Sequence, residues 1–270
     1  MMKKWVMLLI CVFAICGLVG CISVRVDEYI NDDNFYYLKK ANRDVILLNV
    51  ENKKITDEDL VTFFKNNRVI EIDDEAFHLC TALRNITLPN TMTEIPIKAF
   101  YQLNLESVYI PNSITHIGYD AFMSCSDLKT VHLPENLTTI ESRVFLNCHL
   151  ISINIPSSVT SIGESAFSSC HLTTIILPEG LISIGKFAFN GCHFTTIILP
   201  EGLISIGESA FSVNTNLQTV IIPESVETMG ANAFYFCTNA EIKCKVASKP
   251  SGWSGSWAYY TKSVEWGYEE

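Results

Sequence analysis

Thirteen residues, T-T-I-I-L-P-E-G-L-I-S-I-G at positions 173–185, recur unchanged at positions 195–207, 22 residues further along the chain. Looser copies of the same pattern lie on both sides. A fixed period of about 20–50 residues is typical of repeat architectures, in which each unit stacks on its neighbours and cannot bury its apolar face alone. The period therefore decides the fold, and the rest of the chain starts, repeats or closes this unit.

Phenylalanine and proline mark the period over most of the chain. Each unit reads roughly L-x-x-[IV]-x-[IL]-P-x-x-[VIL]-x-x-I-G-x-x-A-F-x-x-C. Phenylalanines separated by 22 or 23 residues stand at Phe77, Phe100, Phe122, Phe145, Phe167, Phe189, Phe211 and Phe234. Prolines keep step with them at Pro89, Pro111, Pro134, Pro156, Pro178, Pro200 and Pro223.

Each part of the unit predicts a local structure. The apolar residues before each proline alternate, as Val131 and Leu133 do, which indicates a half-buried strand. Proline ends that strand because it cannot donate to the ladder. The A-F-x-x-C segment is too short for a full helix, so we expect one turn that places Phe and Cys inside. A glycine after the next apolar residue predicts a tight turn with positive φ at Gly118, Gly163, Gly185, Gly207 and Gly230.

These motifs resemble the BspA-like leucine-rich repeat family, over residues 66–246. The ending K-P-S-G-W at 249–253 resembles the family's terminal cap. The resemblance implies a repeat solenoid, a right-handed leucine-rich-repeat horseshoe that is mainly β with short helical or 3-10 turns and a parallel sheet on its concave face. It also implies display on a bacterial surface, often as an adhesin. The chain departs from other leucine-rich repeats in that proline, not an asparagine ladder, follows the strand.

The first 20 residues are predicted to be a secretory signal. Lys3 and Lys4 precede an apolar run at 5–17, which is shorter than the roughly 20 apolar residues of a membrane span. The sequence L-V-G-C at 18–21 resembles the bacterial lipobox, which implies lipidation of Cys21 and a protein held on a membrane outside the cytoplasm. Plain secretion and an uncleaved anchor remain as alternatives.

The remaining domain boundaries follow from composition. The polar, acidic residues 21–34 predict a tether. Residues 35–65 predict an N-terminal cap, with a strand at 45–50 and a helix that opens at Thr56 with acidic residues in its first turn. Repeats of 22–23 residues fill 66–246, and residues 247–270 predict a C-terminal cap, because a solenoid must cover both open ends.

Composition limits the classes of partner. Lys and Arg total 19 against 29 Asp and Glu, for a formal net charge of −10, and no basic block occurs. This balance argues against a nucleic-acid partner, which would require a basic surface. It also disfavours docking on anionic lipid. Any membrane contact is therefore expected to be hydrophobic or covalent, as through the lipid anchor.

Three side-chain ladders carry possible chemistry, and each has a simpler interpretation. Six cysteines share one repeat position and are open to disulfide or soft-metal chemistry, but Leu103 and Asn214 fill the same position, which favours a small buried core site. Three histidines in consecutive short turns, His149, His171 and His193, could share a metal ion or simply be solvated copies. Four glutamates follow the prolines, at Glu135, Glu179, Glu201 and Glu224, and could serve acid–base catalysis if they converged in a cleft, but a solvated row is the simpler interpretation. We expect no catalytic residues, no metal and no cofactor, since no G-x-S-x-G motif or phosphate loop occurs.

The outward side chains of the repeat strands are the predicted binding surface. This surface is nearly uncharged, with an isoleucine stripe toward the C-terminal end, and an apolar stripe rimmed by threonine is typical of interaction surfaces. The alternatives are that β-branched residues simply favour strands, or that the C-terminal cap covers the stripe. The candidate partner-binding residues are Tyr109, His132, Asn154, Thr174, Ile176, Thr196, Ile198, Thr219 and Ile221.

Six aromatic residues close the chain, and they are expected mainly to cover the last repeat, with sugar stacking as the alternative. They are Trp253, Trp257, Tyr259, Tyr260, Trp266 and Tyr268. Together these features predict a non-catalytic, lipid-anchored binding module whose partner is a protein on a host or neighbouring cell. A structural envelope component without an external ligand, or a metal- or glycan-binding receptor, are the alternative functions.

Overall fold

The computed structural model describes residues 27–269 of the 270-residue chain. The predicted signal sequence and the predicted lipidation site, Cys21, lie outside the described residues. The described part of the chain begins with a small sheet of β1 (Glu28–Asn31), β2 (Phe35–Lys39), β3 (Asp44–Val50) and β4 (Arg68–Ile72), in that order. Neighbouring strands are antiparallel except β3 and β4, which are parallel because helix α1 (Asp57–Asn66) connects them. The tether prediction is therefore wrong for residues 28–31, which pair with β2 as β1.

Helix α1 joins this sheet to the first repeats. Thr56 is its N-cap and forms a reciprocal capping box with Asp59, which satisfies amide groups that the first turn leaves free. Leu60 and Phe63 are buried on its inner face. The carboxylate of Asp57 accepts hydrogen bonds from the backbone amides 84 and 85, at 2.8 and 2.9 Å, and so holds the helix to the following coil.

Fourteen short strands follow in the repeat region and its closing segment. In chain order they are β5 (Asn85–Thr87), β6 (Glu94–Ile95), β7 (Ser107–Tyr109), β8 (His116–Ile117), β9 (Thr130–His132), β10 (Thr139–Ile140), β11 (Ser161–Ile162), β12 (Ser183–Ile184), β13 (Thr196–Ile198), β14 (Ser205–Ile206), β15 (Thr219–Ile222), β16 (Thr228–Met229), β17 (Glu241–Cys244) and β18 (Ser263–Trp266).

The strands form two rows of parallel strands, because most coils of the solenoid contribute one strand to each row, and each row is interrupted once. The first row contains β5–β7–β9 and β13–β15–β17–β18, with a single bridge between Asn154 and Ile176 in the interval. The second row contains β6–β8 and β10–β11–β12–β14–β16. The predicted fold class, a parallel-strand repeat solenoid of the leucine-rich-repeat type, is confirmed.

The A-F-x-x-C segments form overlapping tight turns, and not the expected helical or 3-10 turns. The residues two before and two after each repeat phenylalanine have positive φ, as at Ser165 (55°) and Ser169 (57°). This conformation turns alternate amides toward the next coil, where they donate to carbonyls. In the Phe167 coil, Ser165, Phe167 and Ser169 donate to the carbonyls of Lys186, Ala188 and Asn190, each at 2.8 Å.

The glycine prediction is wrong in its reason. Gly118, Gly163, Gly185, Gly207 and Gly230 have no positive φ. They are required because the coils approach closely: a Cβ on Gly207 would lie 2.5 Å from the backbone nitrogen of Lys186. The positive-φ positions are instead occupied mostly by residues with side chains, at a cost of roughly 1–2 kcal/mol each when the side chain cannot compensate.

The core runs along the solenoid axis as a column of phenylalanine rings. From Phe77 to Phe234 the centroids of neighbouring rings are 5.1–5.6 Å apart and the rings are nearly parallel. All eight rings are fully buried. Trp257 meets the last ring, Phe234, edge-on at 6.2 Å and so ends the column.

Candidate functional site

The strand face is the surface formed by the outward side chains of the first strand row. Among the predicted partner-binding residues, Tyr109, His132, Asn154, Thr174 and Thr196 are exposed, whereas Thr219 and Ile221 are half-buried. Ile176 and Ile198 are 83% and 69% exposed. The alternative that the C-terminal cap covers the isoleucine stripe is therefore wrong for these two side chains.

The strand face is open between the two identical copies of the repeat. Ile176 forms a bridge with Asn154 in the preceding coil, and β13 pairs with β15 in the following coil. Residues 174–176 and β13, which belong to adjacent coils, are therefore not paired with each other as strands. Ile175 is correspondingly half-buried, whereas its equivalents Ile153 and Ile197 are buried. We call this interruption the seam.

A groove of about 460 Å³ lies at the seam. Its apolar lining comes from both copies, with a threonine from each copy and a glutamate from each copy at the polar positions. The lining residues are Thr174, Ile175, Ile176, Leu177 and Glu179 from the first copy, and Thr196, Ile198, Leu199, Pro200 and Glu201 from the second. The predicted partner-binding residues included the two threonines and the two outward isoleucines. They did not include the two glutamates or the other apolar lining residues, Ile175, Leu177, Leu199 and Pro200.

The N-terminal half of the strand face is polar and contains a stacked pair. The rings of Tyr109 and His132 lie face to face, with centroids 4.5 Å apart and an interplanar angle of 3°. Their strands β7 and β9 pair in register at these two residues. The pair could have been predicted by aligning the outward positions of adjacent repeats, since directly opposed side chains in a parallel sheet lie one strand spacing apart.

The glutamates that follow the prolines are exposed. Glu201 forms an ion pair with Lys245, two coils away, with Nζ and Oε1 2.7 Å apart. Within residues 27–269, no ion-pair partner lies beside Glu135, Glu179 or Glu224. One edge of the strand face therefore carries carboxylates that are largely uncompensated.

The histidines of the short turns lie side by side. Ring centroids are 4.0 Å apart for His149 and His171, and 5.1 Å apart for His171 and His193. Partial burial, followed by repulsion from the two flanking imidazoles, lowers the pKa of His171. In the part of the chain that the structure describes, no three His, Cys, Asp or Glu side chains converge as metal ligands.

The cysteine ladder is a core feature with a specific hydrogen bond. The seven described cysteines are free and buried. Cys170 donates from Sγ to the carbonyl of Phe145 in the preceding coil at 3.1 Å, and Cys125, Cys148, Cys192 and Cys237 make the equivalent bond. Asn214 replaces the thiol and donates from Nδ2 to the carbonyl of Phe189 at 2.9 Å. Burial raises the pKa of the Cys170 thiol to about 12, so it is protonated and unreactive at neutral pH.

The closing aromatic residues divide into two groups. Trp253 and Trp257 are buried and pack against each other edge-on, and the indole Nε1 of Trp253 donates to the carbonyl of Val226 at 2.9 Å. They cover the last repeat, as expected. Tyr259 and Tyr260 are more than half exposed, and the ring of Tyr260 contacts the rings of Tyr235 and Phe236 at the outer side of the last repeat, at 5.5 and 6.1 Å.

No helix among residues 27–269 has the length and hydrophobicity to cross a membrane. The fold and strand face define a leucine-rich-repeat solenoid, a class of repeat-based binding modules that is typically non-catalytic. The chain matches the model of the BspA type leucine-rich repeat region, in six copies, over residues 50–172 and 138–249. The chain therefore belongs to the BspA-type leucine-rich repeat family.

Solved structures share this fold. A leucine-rich repeat protein of T. pallidum is 25% identical, with a TM-score of 0.57 and coverage of 79% of this chain and 91% of that chain. A leucine-rich repeat protein from Bacteroides ovatus is 22% identical, with a TM-score of 0.51 and coverage of 83% of this chain and 55% of that chain. A comparison with curated proteins found no match.

Proposed function

We propose that this chain is a lipid-anchored, extracytoplasmic surface protein that binds a protein partner through its strand face. The observation that carries the proposal is the exposure of Ile176 and Ile198 beside the groove at the seam. Exposed aliphatic side chains contact water in the free protein. Burying them against a partner contributes a favourable free energy of about 25 cal/mol per Å² of apolar surface removed from water. Interfaces are organised around such apolar centres with polar rims, and threonines form part of the rim here.

The binding test compares two pairs of isoleucines in the same repeat copies. Ile176→Ser with Ile198→Ser removes the apolar centre of the strand face. Ile182→Ser with Ile204→Ser makes the same chemical change at exposed positions outside the groove, and serves as the control. The full chain and both variants are immobilised, and extracellular proteins captured from host and neighbouring cells are quantified.

The strand-face variant should lose its partner by roughly tenfold or more in affinity, whereas the control should retain it. Equal capture by all three proteins would contradict the proposed site. The surface location is tested separately by protease treatment of intact cells and by incorporation of labelled fatty acid, which Cys21→Ala should abolish. Protease resistance on intact cells would favour the alternative of an internal envelope component.

A further inference from the structure

The groove at the seam has the properties of a receptor for one aliphatic side chain. Its lining is mostly isoleucine, leucine and proline, and it opens where the strand row is interrupted. Ligand sites typically combine an apolar lining with a few polar groups that fix orientation. Here the polar groups are of two kinds: the hydroxyls of Thr174 and Thr196, and the carboxylates of Glu179 and Glu201, which follow the prolines.

The carboxylates of the groove determine the charge of the ligand that it can bind. Glu179 lines the groove and has no ion-pair partner within residues 27–269, while Glu201 in the equivalent position already has Lys245. Glu224, one coil further, is exposed and also lacks such a partner. A ligand that brought an anion here would be repelled, whereas a Lys or Arg would gain a charge-assisted hydrogen bond.

The geometry points to a partner segment that is basic and aliphatic, and we propose that the groove binds such a segment. Its aliphatic side chain enters between Ile176 and Ile198, and a Lys or Arg close to it in the sequence pairs with Glu179. This inference rests on the proposed function, because it specifies the partner of the same strand face. The excess of acidic residues over the whole chain would steer such a segment toward the protein.

Other occupants fit the groove less well. A second copy of this chain that docked through the same strand face would bring its own carboxylate edge against Glu179 and Glu224, which is a like-charge contact. Nucleic acid and anionic lipid carry phosphates and would be repelled for the same reason. A sugar would need an aromatic platform, and the groove lining contains no aromatic ring.

The test uses random heptapeptides displayed on phage. They are selected on the full chain and depleted on the Ile176→Ser, Ile198→Ser variant, so that only groove-dependent peptides survive. We expect the survivors to carry an aliphatic residue close to Lys or Arg. Glu179→Gln should weaken their binding by roughly threefold to tenfold, and Glu201→Gln by less, because Lys245 already neutralises that carboxylate.

Glu227→Gln is the matched control, because it removes one exposed carboxylate that does not line the groove. It should leave peptide binding unchanged, and raising the salt concentration should weaken binding to the wild type more than to Glu179→Gln. Survivors that are acidic or neutral, or that bind Glu179→Gln as well as wild type, would overturn the inference and leave strand-face binding standing. If no peptide distinguishes wild type from the isoleucine variant, the strand-face site itself is wrong.

Discussion

The two sides of each coil are held together to very different degrees. On the turn side, three amides in each coil from Phe100 to Phe234 donate to the next turn of the chain, and the phenylalanine rings stack without interruption. In six coils a Cys or Asn side chain also donates to a carbonyl of the preceding coil. On the strand face, pairing stops on both sides of the Asn154–Ile176 bridge. The difference indicates that the turn side carries the stability of the solenoid, so the strand face is free to vary in shape and chemistry.

The largest expected effect comes from breaking the phenylalanine column. Phe167→Ala removes a fully buried ring with stacked neighbours on both sides, and should lower the free energy of unfolding by about 3–5 kcal/mol. Urea denaturation followed by circular dichroism measures the change. Phe236→Ala, at a ring that is 44% exposed, should cost far less, and similar losses from both would contradict a dominant role for the column.

The next effect tests the close approach of the coils. Gly207→Ala would place a Cβ 2.5 Å from the backbone nitrogen of Lys186 and should cost about 1–3 kcal/mol of stability, because backbone must shift. Gly180→Ala is the control in the repeated stretch, since its Cβ would lie 3.7 Å from its nearest neighbour, the carbonyl oxygen of Ser157. Thermal unfolding of the two variants compares them directly. Equal melting temperatures would refute the close-approach explanation.

A smaller effect is expected at the positive-φ turn residues. Gly191 has a φ of 65°, so Gly191→Val should destabilise the protein by roughly 1–2 kcal/mol, because a β-branched side chain is strained there. Gly191→Asn should cost less, since asparagine tolerates this conformation. Both side chains already stand at the equivalent position of other coils, asparagine at Asn147 with a φ of 58° and valine at Val213 with a φ of 61°, so both variants should fold and the comparison measures the difference in strain. Chemical denaturation measures the free energy of unfolding of both variants. A lower value for Gly191→Asn than for Gly191→Val would contradict this explanation.

The smallest expected effect on stability belongs to the strand face. Ile176→Ser with Ile198→Ser should change the free energy of unfolding by no more than about 0.5 kcal/mol, because both side chains are mostly exposed. The same denaturation experiment that measures Phe167→Ala measures this change. A loss comparable to that of Phe167→Ala would show that the two sides of the coil do not differ as described.

The period of the sequence predicted the coil, but not every local conformation. Phenylalanine and proline anchors identified the strands and the buried turn side chains, because burial at a fixed spacing is a strong pattern. The positive-φ residues were hidden, since Lys98, Arg143 and Phe187 give no composition signal for that conformation. Glycine was misread because it serves both positive φ and close backbone approach, and only the structure separates the two.

The candidate site was predictable in part. Alternation along the strand located the exposed threonines and isoleucines, because it fixes which side chains point outward. The seam was not predictable, since the two copies have identical sequences and nothing in them indicates that they fail to pair. Strand β1 could not be predicted because three of its four residues are exposed, so its sequence has no alternation of apolar and polar residues. It is a strand because it pairs with β2.

The seam lies between two identical units, and this has a consequence for how the protein can change over generations. Because neighbouring units are nearly interchangeable, a whole unit could be added or removed with the contacts on either side kept. Each added unit would lengthen the solenoid by about 4.8 Å without disturbing either cap. If the new boundary opened as the present one does, it would also supply a second groove with its own glutamate. Unit number would then set the valency of binding, and avidity would rise without any new type of contact.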